Sequence, residues 1–125
     1  RTLIGQRLVR CVCQSCGAPD PDADHEAKAQ CILPPSMRET APRWQLGVGC
    51  KACGGSGYQG RSGVFETVRI TPAIQHAIRE RAPESALAVF ARQDMFTSLA
   101  ENGLVKARDG QTTFVEALRV LGAGA

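Results

Sequence analysis

Apolar positions divide the chain into three stretches of different character. Near the start, Leu3, Ile4, Leu8 and Val9 recur at helical spacing, so residues 1–16 are expected to form a short amphipathic helix running into a cysteine turn. Residues 17–49 lose all periodicity, because Pro19, Pro21, Pro34, Pro35 and Pro42 interrupt every run. Within them the acidic positions Asp20, Asp22, Asp24 and Glu26 read as a solvated face, capping at most a short helix over 26–30. Trp44, Leu46 and Val48 then alternate with Gln45 and Gly47, the pattern of a short half-buried strand.

The glycine-dense run 54–63 suits a tight path around a site rather than a regular element. Residues 64–70, rich in β-branched and aromatic side chains, read as a strand. From Thr71 the period becomes helical. Thr71-Pro72 caps a helix whose apolar face is Ile74, Ala77 and Ile78, and Pro83 opens a second bearing Leu87, Phe90 and Ala91. Ser98 with Glu101 forms a capping box for a third, which stops at Gly110. Thr113 with Glu116 repeats the box for a last helix lined by Phe114, Ala117, Leu118 and Leu121 before Gly122. The fold class that follows is α+β: a loop-rich module with short strands over 1–63, then a strand and a four-helix subdomain over 64–125. No internal repeat is present.

Composition changes this picture little. Apolar residues make up 43% and charged residues 22%, ordinary values for a folded soluble domain. The formal charge of +3 is small and its basic residues are scattered, which argues against a nucleic-acid partner. No apolar run reaches membrane-span length and no signal-peptide core precedes the first turn, so direct membrane insertion is not expected. The chain opens without an initiator Met, inside an expected helix, and reads as a piece of something longer.

The cysteines carry the chemistry. Cys13-Gln14-Ser15-Cys16 and Cys50-Lys51-Ala52-Cys53 are two C-x-x-C pairs, each followed by glycine. One pair sets two sulfurs on a tight turn, and two pairs complete the four-sulfur shell that zinc prefers. Such a site is closed and structural, with no open position for catalysis. An iron–sulfur cluster, a redox dithiol and disulfides stand as alternatives. Cys11 lies two residues from Cys13 and competes for that register, whereas Cys31 reads as an ordinary thiol. His25 reads as a loop residue and His76 as a helix-surface one. The three lysines, Lys28, Lys51 and Lys106, do not follow glycine, so no phosphate-binding loop is present and the chain by itself shows no enzyme. Arg7 and Arg10 read as helix-surface charges that at most touch a neighbouring subunit or a nucleotide. Arg61, flanked by glycines, is the better candidate for a fixed ion pair, with Glu66 as its partner.

Taken together, 6–10 (Gln6-Arg7-Leu8-Val9-Arg10), the two cysteine pairs, Gly49, Gly54-Gly55-Ser56-Gly57-Tyr58 and 60–66 (Gly60-Arg61-Ser62-Gly63-Val64-Phe65-Glu66) resemble the C-terminal third of the type II secretion and type IV pilus assembly ATPases, the GspE/PilB-like traffic ATPases. Met95, Leu99, 103–106, Gly110, Thr112, Thr113 and 116–120 follow that family's C-terminal helices. The resemblance implies a tetracysteine zinc site at Cys13, Cys16, Cys50 and Cys53, with 6–10 in a helix. It also implies a parent that binds ATP and Mg²⁺ through upstream motifs and works as a homo-hexameric motor. That motor would sit peripherally on the cytoplasmic face of the inner membrane and drive secretion or pilus assembly through platform proteins there. Two departures stand out: Asp94 replaces the family's glycine before Met95, and residues 17–49 are poorly matched. The rival readings are a stand-alone zinc module of the DnaJ cysteine-rich type, since Cys50 to Gly57 fits C-x-x-C-x-G-x-G, or a zinc-ribbon nucleic-acid binder.

Overall fold

The computed structural model describes residues 1–94 and 96–121, without the side chains of Val120 and Leu121, so the expectations for Met95, Leu121 and Gly122 lie outside it. The first stretch is a strand. β1 (Thr2–Val12) pairs antiparallel with β4 (Tyr58–Arg69), from Thr2 opposite Arg69 to Val12 opposite Tyr58. The helix expected over residues 1–16, including 6–10, is therefore corrected. Of its four apolar residues Leu3, Ile4 and Leu8 stay exposed and only Val9 is buried, so their spacing marks no buried face, and β-branched Thr2, Ile4, Val9 and Val12 settle into the pairing that β4 offers. β4 begins six residues earlier than expected, so most of the glycine-dense run, residues 58–63, lies in this strand, and the ladder itself joins the two halves read from the sequence. A bulge between Arg10 and Val12 sets Cys11 against two residues, Gln59 and Gly60, and Gly60 takes the positive φ (+82°) that this irregularity requires.

Residues 17–49 are more ordered than their prolines suggest. They hold β2 (Gly17–Pro19), α1 (Asp24–Ile32), a single 3₁₀ turn at Pro35–Met37, and β3 (Gln45–Gly47), with β2 and β3 paired antiparallel. Ala29 and Leu33 from this segment, with Trp44, share one core with Leu104, Ala107, Phe114 and Ala117. The solvated acidic face holds for Asp22 and Asp24, which are exposed, and is corrected for Asp20 and Glu26. Glu26 turns inward to meet Arg108, and Asp20 Oδ2 lies 2.9 Å from His25 Nε2. His25 itself is on α1 rather than in a loop, buried and stacked on Phe114 with ring centres 4.4 Å apart.

Four helices follow as expected: α2 (Pro72–Arg79), α3 (Glu84–Gln93), α4 (Leu99–Arg108) and α5 (Phe114–Leu121). Thr71 Oγ1 accepts the N–H of Ile74, and the Ser98–Glu101 capping box is complete in both directions. Pro83 is the cap of α3 rather than its first residue. Thr113 Oγ1 accepts the N–H of Glu116, but the Glu116 carboxylate does not reach back and is used elsewhere. Asp94 ends α3 where the resembled family has glycine, and its carboxylate takes a bidentate bond from Arg69 (2.6 and 3.0 Å). No helix among the described residues is long and apolar enough to cross a membrane. The class is α+β, with two antiparallel strand pairs and five α-helices among the described residues.

Candidate metal centre

Three pieces of chain converge on the four cysteines. β1 delivers Cys13, whose N–H is held by Gly57 O at 3.0 Å. Cys16 stands at the mouth of the β2–β3 pair, where its carbonyl accepts the N–H of Val48 at 3.2 Å. Cys50 and Cys53 share a turn closed by Gly55 N–H to Cys50 O at 2.8 Å. Gly47 and Gly57 pass so closely that a Cβ on either would overlap the other's backbone, and Gly57 has φ +83°. Only glycine satisfies both demands there.

The four sulfurs all lie within 4.8 Å of one another. Cys13–Cys50, Cys16–Cys53 and Cys50–Cys53 are each separated by 3.8 Å. A tetrahedron with metal–sulfur bonds of about 2.3 Å has edges of about 3.8 Å, so the set fits one four-coordinate ion. None of the described cysteines is in a disulfide. A two- or four-iron cluster spreads its cysteines over several iron atoms and needs a wider set.

Backbone amides are aimed at the sulfurs: Gly49 N to Cys16 Sγ at 3.3 Å, and Cys50 N and Gly57 N to Cys53 Sγ at 3.3 and 3.2 Å. The Cys50 amide, against the opposing effect of burial and with the Gly57 amide, draws the Cys53 thiol down to about 6. Burial pushes Cys16 up to about 11 despite the Gly49 amide. Burial also works against Cys13, but amides of Cys16 and Ser15 and the neighbouring thiols bring it below the ordinary value. Four thiolates this close repel one another, and a bound cation removes that conflict.

The remaining sequence candidates fall outside this cluster. Cys11 sits in the β-bulge and Cys31 is exposed on α1, and neither joins the sulfur set. Arg61 forms no ion pair among the described residues, and Glu66 instead accepts the N–H of Leu99 at 2.7 Å. Their expected pairing is thus replaced by a strand-to-helix bond. His76 is on the surface of α2 as expected, and Arg7 is exposed on β1.

Arg10 is held in a network that the sequence did not disclose. Its Nε and Nη2 donate to Glu116 at 3.2 and 3.0 Å, its backbone N–H donates at 2.8 Å, and its guanidinium lies 4.2 Å over the Tyr58 ring. Arg119 donates to the same carboxylate at 2.8 and 3.0 Å. The Glu116 side chain is fully buried, and burial alone would raise its carboxyl, yet Arg119 and Arg10 bring it down to about 2. In the sequence Glu116 stood out as part of the Thr113 box and of the stretch 116–120 that follows the resembled family, and neither signal pointed to Arg10.

Comparison with known proteins defines the class. The type II/IV secretion system protein family matches residues 1–119, and the chain belongs to that family. Among its relatives, a type II secretion system protein E of Aeromonas hydrophila is 37% identical over 94% of the chain and 23% of the relative. A type IV pilus assembly ATPase PilB of Pseudomonas aeruginosa is 35% identical over 94% of the chain and 20% of the relative. PilB of Thermus thermophilus is 35% identical over 93% and 13%. The chain spans about a quarter or less of the length of these curated relatives.

Proposed function

We propose that this chain is the zinc-binding C-terminal region of an ATP-driven secretion or pilus-assembly motor. The observation that carries the reading is the closed set of Cys13, Cys16, Cys50 and Cys53, with sulfur spacing suited to one tetrahedral ion, in a chain of this family. Zinc is the metal because a four-thiolate tetrahedral shell is its preferred structural environment, and such a shell has no open position for chemistry. Its contribution is mechanical: it binds the end of β1, the start of β2 and the Cys50–Cys53 turn into one unit. Catalysis, with ATP and Mg²⁺, belongs to other parts of the parent.

In that parent, the metal-binding half (1–63) and the helical half (64–125) would pack on the motor core or on adjoining subunits of a homo-hexamer. The whole would act from the cytoplasmic face of the inner membrane on platform proteins. Relatives named as a type II secretion protein and as pilus assembly ATPases support this assignment. The family match leaves no specific observation in favour of a stand-alone zinc module. The test is the full-length parent carrying Cys50→Ser. Loss of secretion or pilus assembly with the protein still expressed supports a mechanical role, and unimpaired assembly and ATPase activity in a zinc-free variant overturns it.

A further inference from the structure

We propose that Gln59 is a positioning residue of the metal site, its side-chain amide donating an N–H to the Cys13 sulfur when that sulfur is a metal-bound thiolate. The inference rests on the zinc reading above and adds to it a residue outside the cysteine pattern. Of the four cysteines, Cys13 is the one that is fully buried, with no exposed surface for water to reach its sulfur. Four thiolates around a divalent ion leave a net charge of −2, which donors in the surrounding shell must offset. Cys53 and Cys16 take theirs from the amides of Cys50, Gly57 and Gly49. Cys13 has nearby amides of Ser15 and Cys16, and on a further side it meets Gln59.

Gln59 Oε1 lies 3.8 Å from Cys13 Sγ, placed to accept the thiol proton. A metal-bound thiolate has released that proton to solvent, and a carbonyl oxygen facing it would be repelled. A half turn of the amide about its last carbon–carbon bond exchanges oxygen for NH₂ without moving the backbone. The same side chain then becomes a donor. Its location follows from the bulge: Gln59 and Gly60 together oppose Cys11, and such an irregularity redirects a side chain off the regular ladder. Gln59 is itself exposed, so its amide can turn without displacing packed neighbours.

The test uses the 125-residue chain with Zn²⁺ and Co²⁺, in wild type, Gln59→Ala, Gln59→Glu and Cys50→Ser forms. Zinc release to a chromophoric chelator should be faster by about tenfold in Gln59→Ala. It should be faster still in Gln59→Glu, whose carboxylate faces the anionic shell. The thiolate-to-cobalt charge-transfer band should move to lower energy in both, a signature that a surface residue of purely structural role would not alter. Far-UV circular dichroism of the metal-free forms should be unchanged. If wild type binds one zinc and Cys50→Ser loses it, but both Gln59 variants match wild type in rate and spectrum, the Gln59 inference falls and the site stands. If wild type binds no zinc, both fall.

Discussion

Arg108 and Glu26 provide the most demanding test of how residues 17–49 are held. The Arg108 side chain is 5% exposed and Glu26 21%, so the pair is largely withdrawn from water. Arg108 Nε and Nη2 donate to the carboxylate at 2.9 and 3.0 Å, Nη1 donates to Thr40 O at 2.6 Å, and Trp44 Nε1 donates to Glu26 at 3.2 Å. In Glu26→Ala the guanidinium keeps only Thr40, and Trp44 loses its acceptor. Breaking a buried pair from one side costs about 3–5 kcal/mol, and the partial exposure of Glu26 places the expected loss near 3. Urea unfolding followed by Trp44 fluorescence reads this directly, since Trp44 is the one tryptophan and lies in the affected cluster. Arg108→Met strands the Glu26 carboxylate in turn, but that group is 21% exposed and keeps the Trp44 and Gln30 donors, so it should cost less than Glu26→Ala. The loss should persist after zinc is stripped, because the aromatic and ionic anchor is separate from the cysteines. A loss below about 1 kcal/mol, or one that vanishes without zinc, would refute the argument that this segment is anchored independently of the metal.

Other outcomes follow from individual contacts. The Glu116 carboxyl is lowered to about 2 in the folded protein, against 4.5 ordinarily, so its stabilisation is complete above about pH 5 and is lost as pH falls toward 2. Urea midpoints between pH 2 and 6 should show that slope, and Glu116→Gln should flatten it. Ser98→Ala removes the cap from α4 and should cost about 1 kcal/mol by denaturant titration, with zinc content unchanged. Gly57→Ala forces a side chain into left-handed backbone against Gly47, so it should destabilise by upwards of about 2 kcal/mol and weaken zinc retention in a chelator assay.

Local chemistry was legible wherever it was written in adjacent residues. The two C-x-x-C pairs, the Thr71-Pro72 start, the Ser98–Glu101 box and the glycine stop at Gly110 each depend on neighbours a few positions away, and each element appears in place. What was hidden depends on partners far along the chain. Whether Leu3 to Val12 is helix or strand is decided by its pairing with β4, far along the chain, and not by its own ambiguous spacing. Glu26 reads as one more acid in a solvated run until Arg108 meets it, and His25 reads as a loop residue until Phe114 arrives beside it. Proline counting failed for residues 17–49 because the prolines fall at element ends or between elements: Pro19 ends β2, Pro21 precedes α1, Pro34 follows it and Pro35 opens the 3₁₀ turn. Arg10 and Glu116 stand at opposite ends of the sequence, and only the closure of β1 onto α5 joins them.

The central claim is that Cys13, Cys16, Cys50 and Cys53 together hold one zinc ion. Its most direct test is metal content per chain in the purified, reduced protein, with zinc and iron measured side by side in wild type, Cys50→Ser and Cys31→Ser. The account predicts one zinc and no iron in wild type, loss of zinc in Cys50→Ser, and full retention in Cys31→Ser. A chain free of zinc, or one whose zinc is indifferent to Cys50, would contradict it.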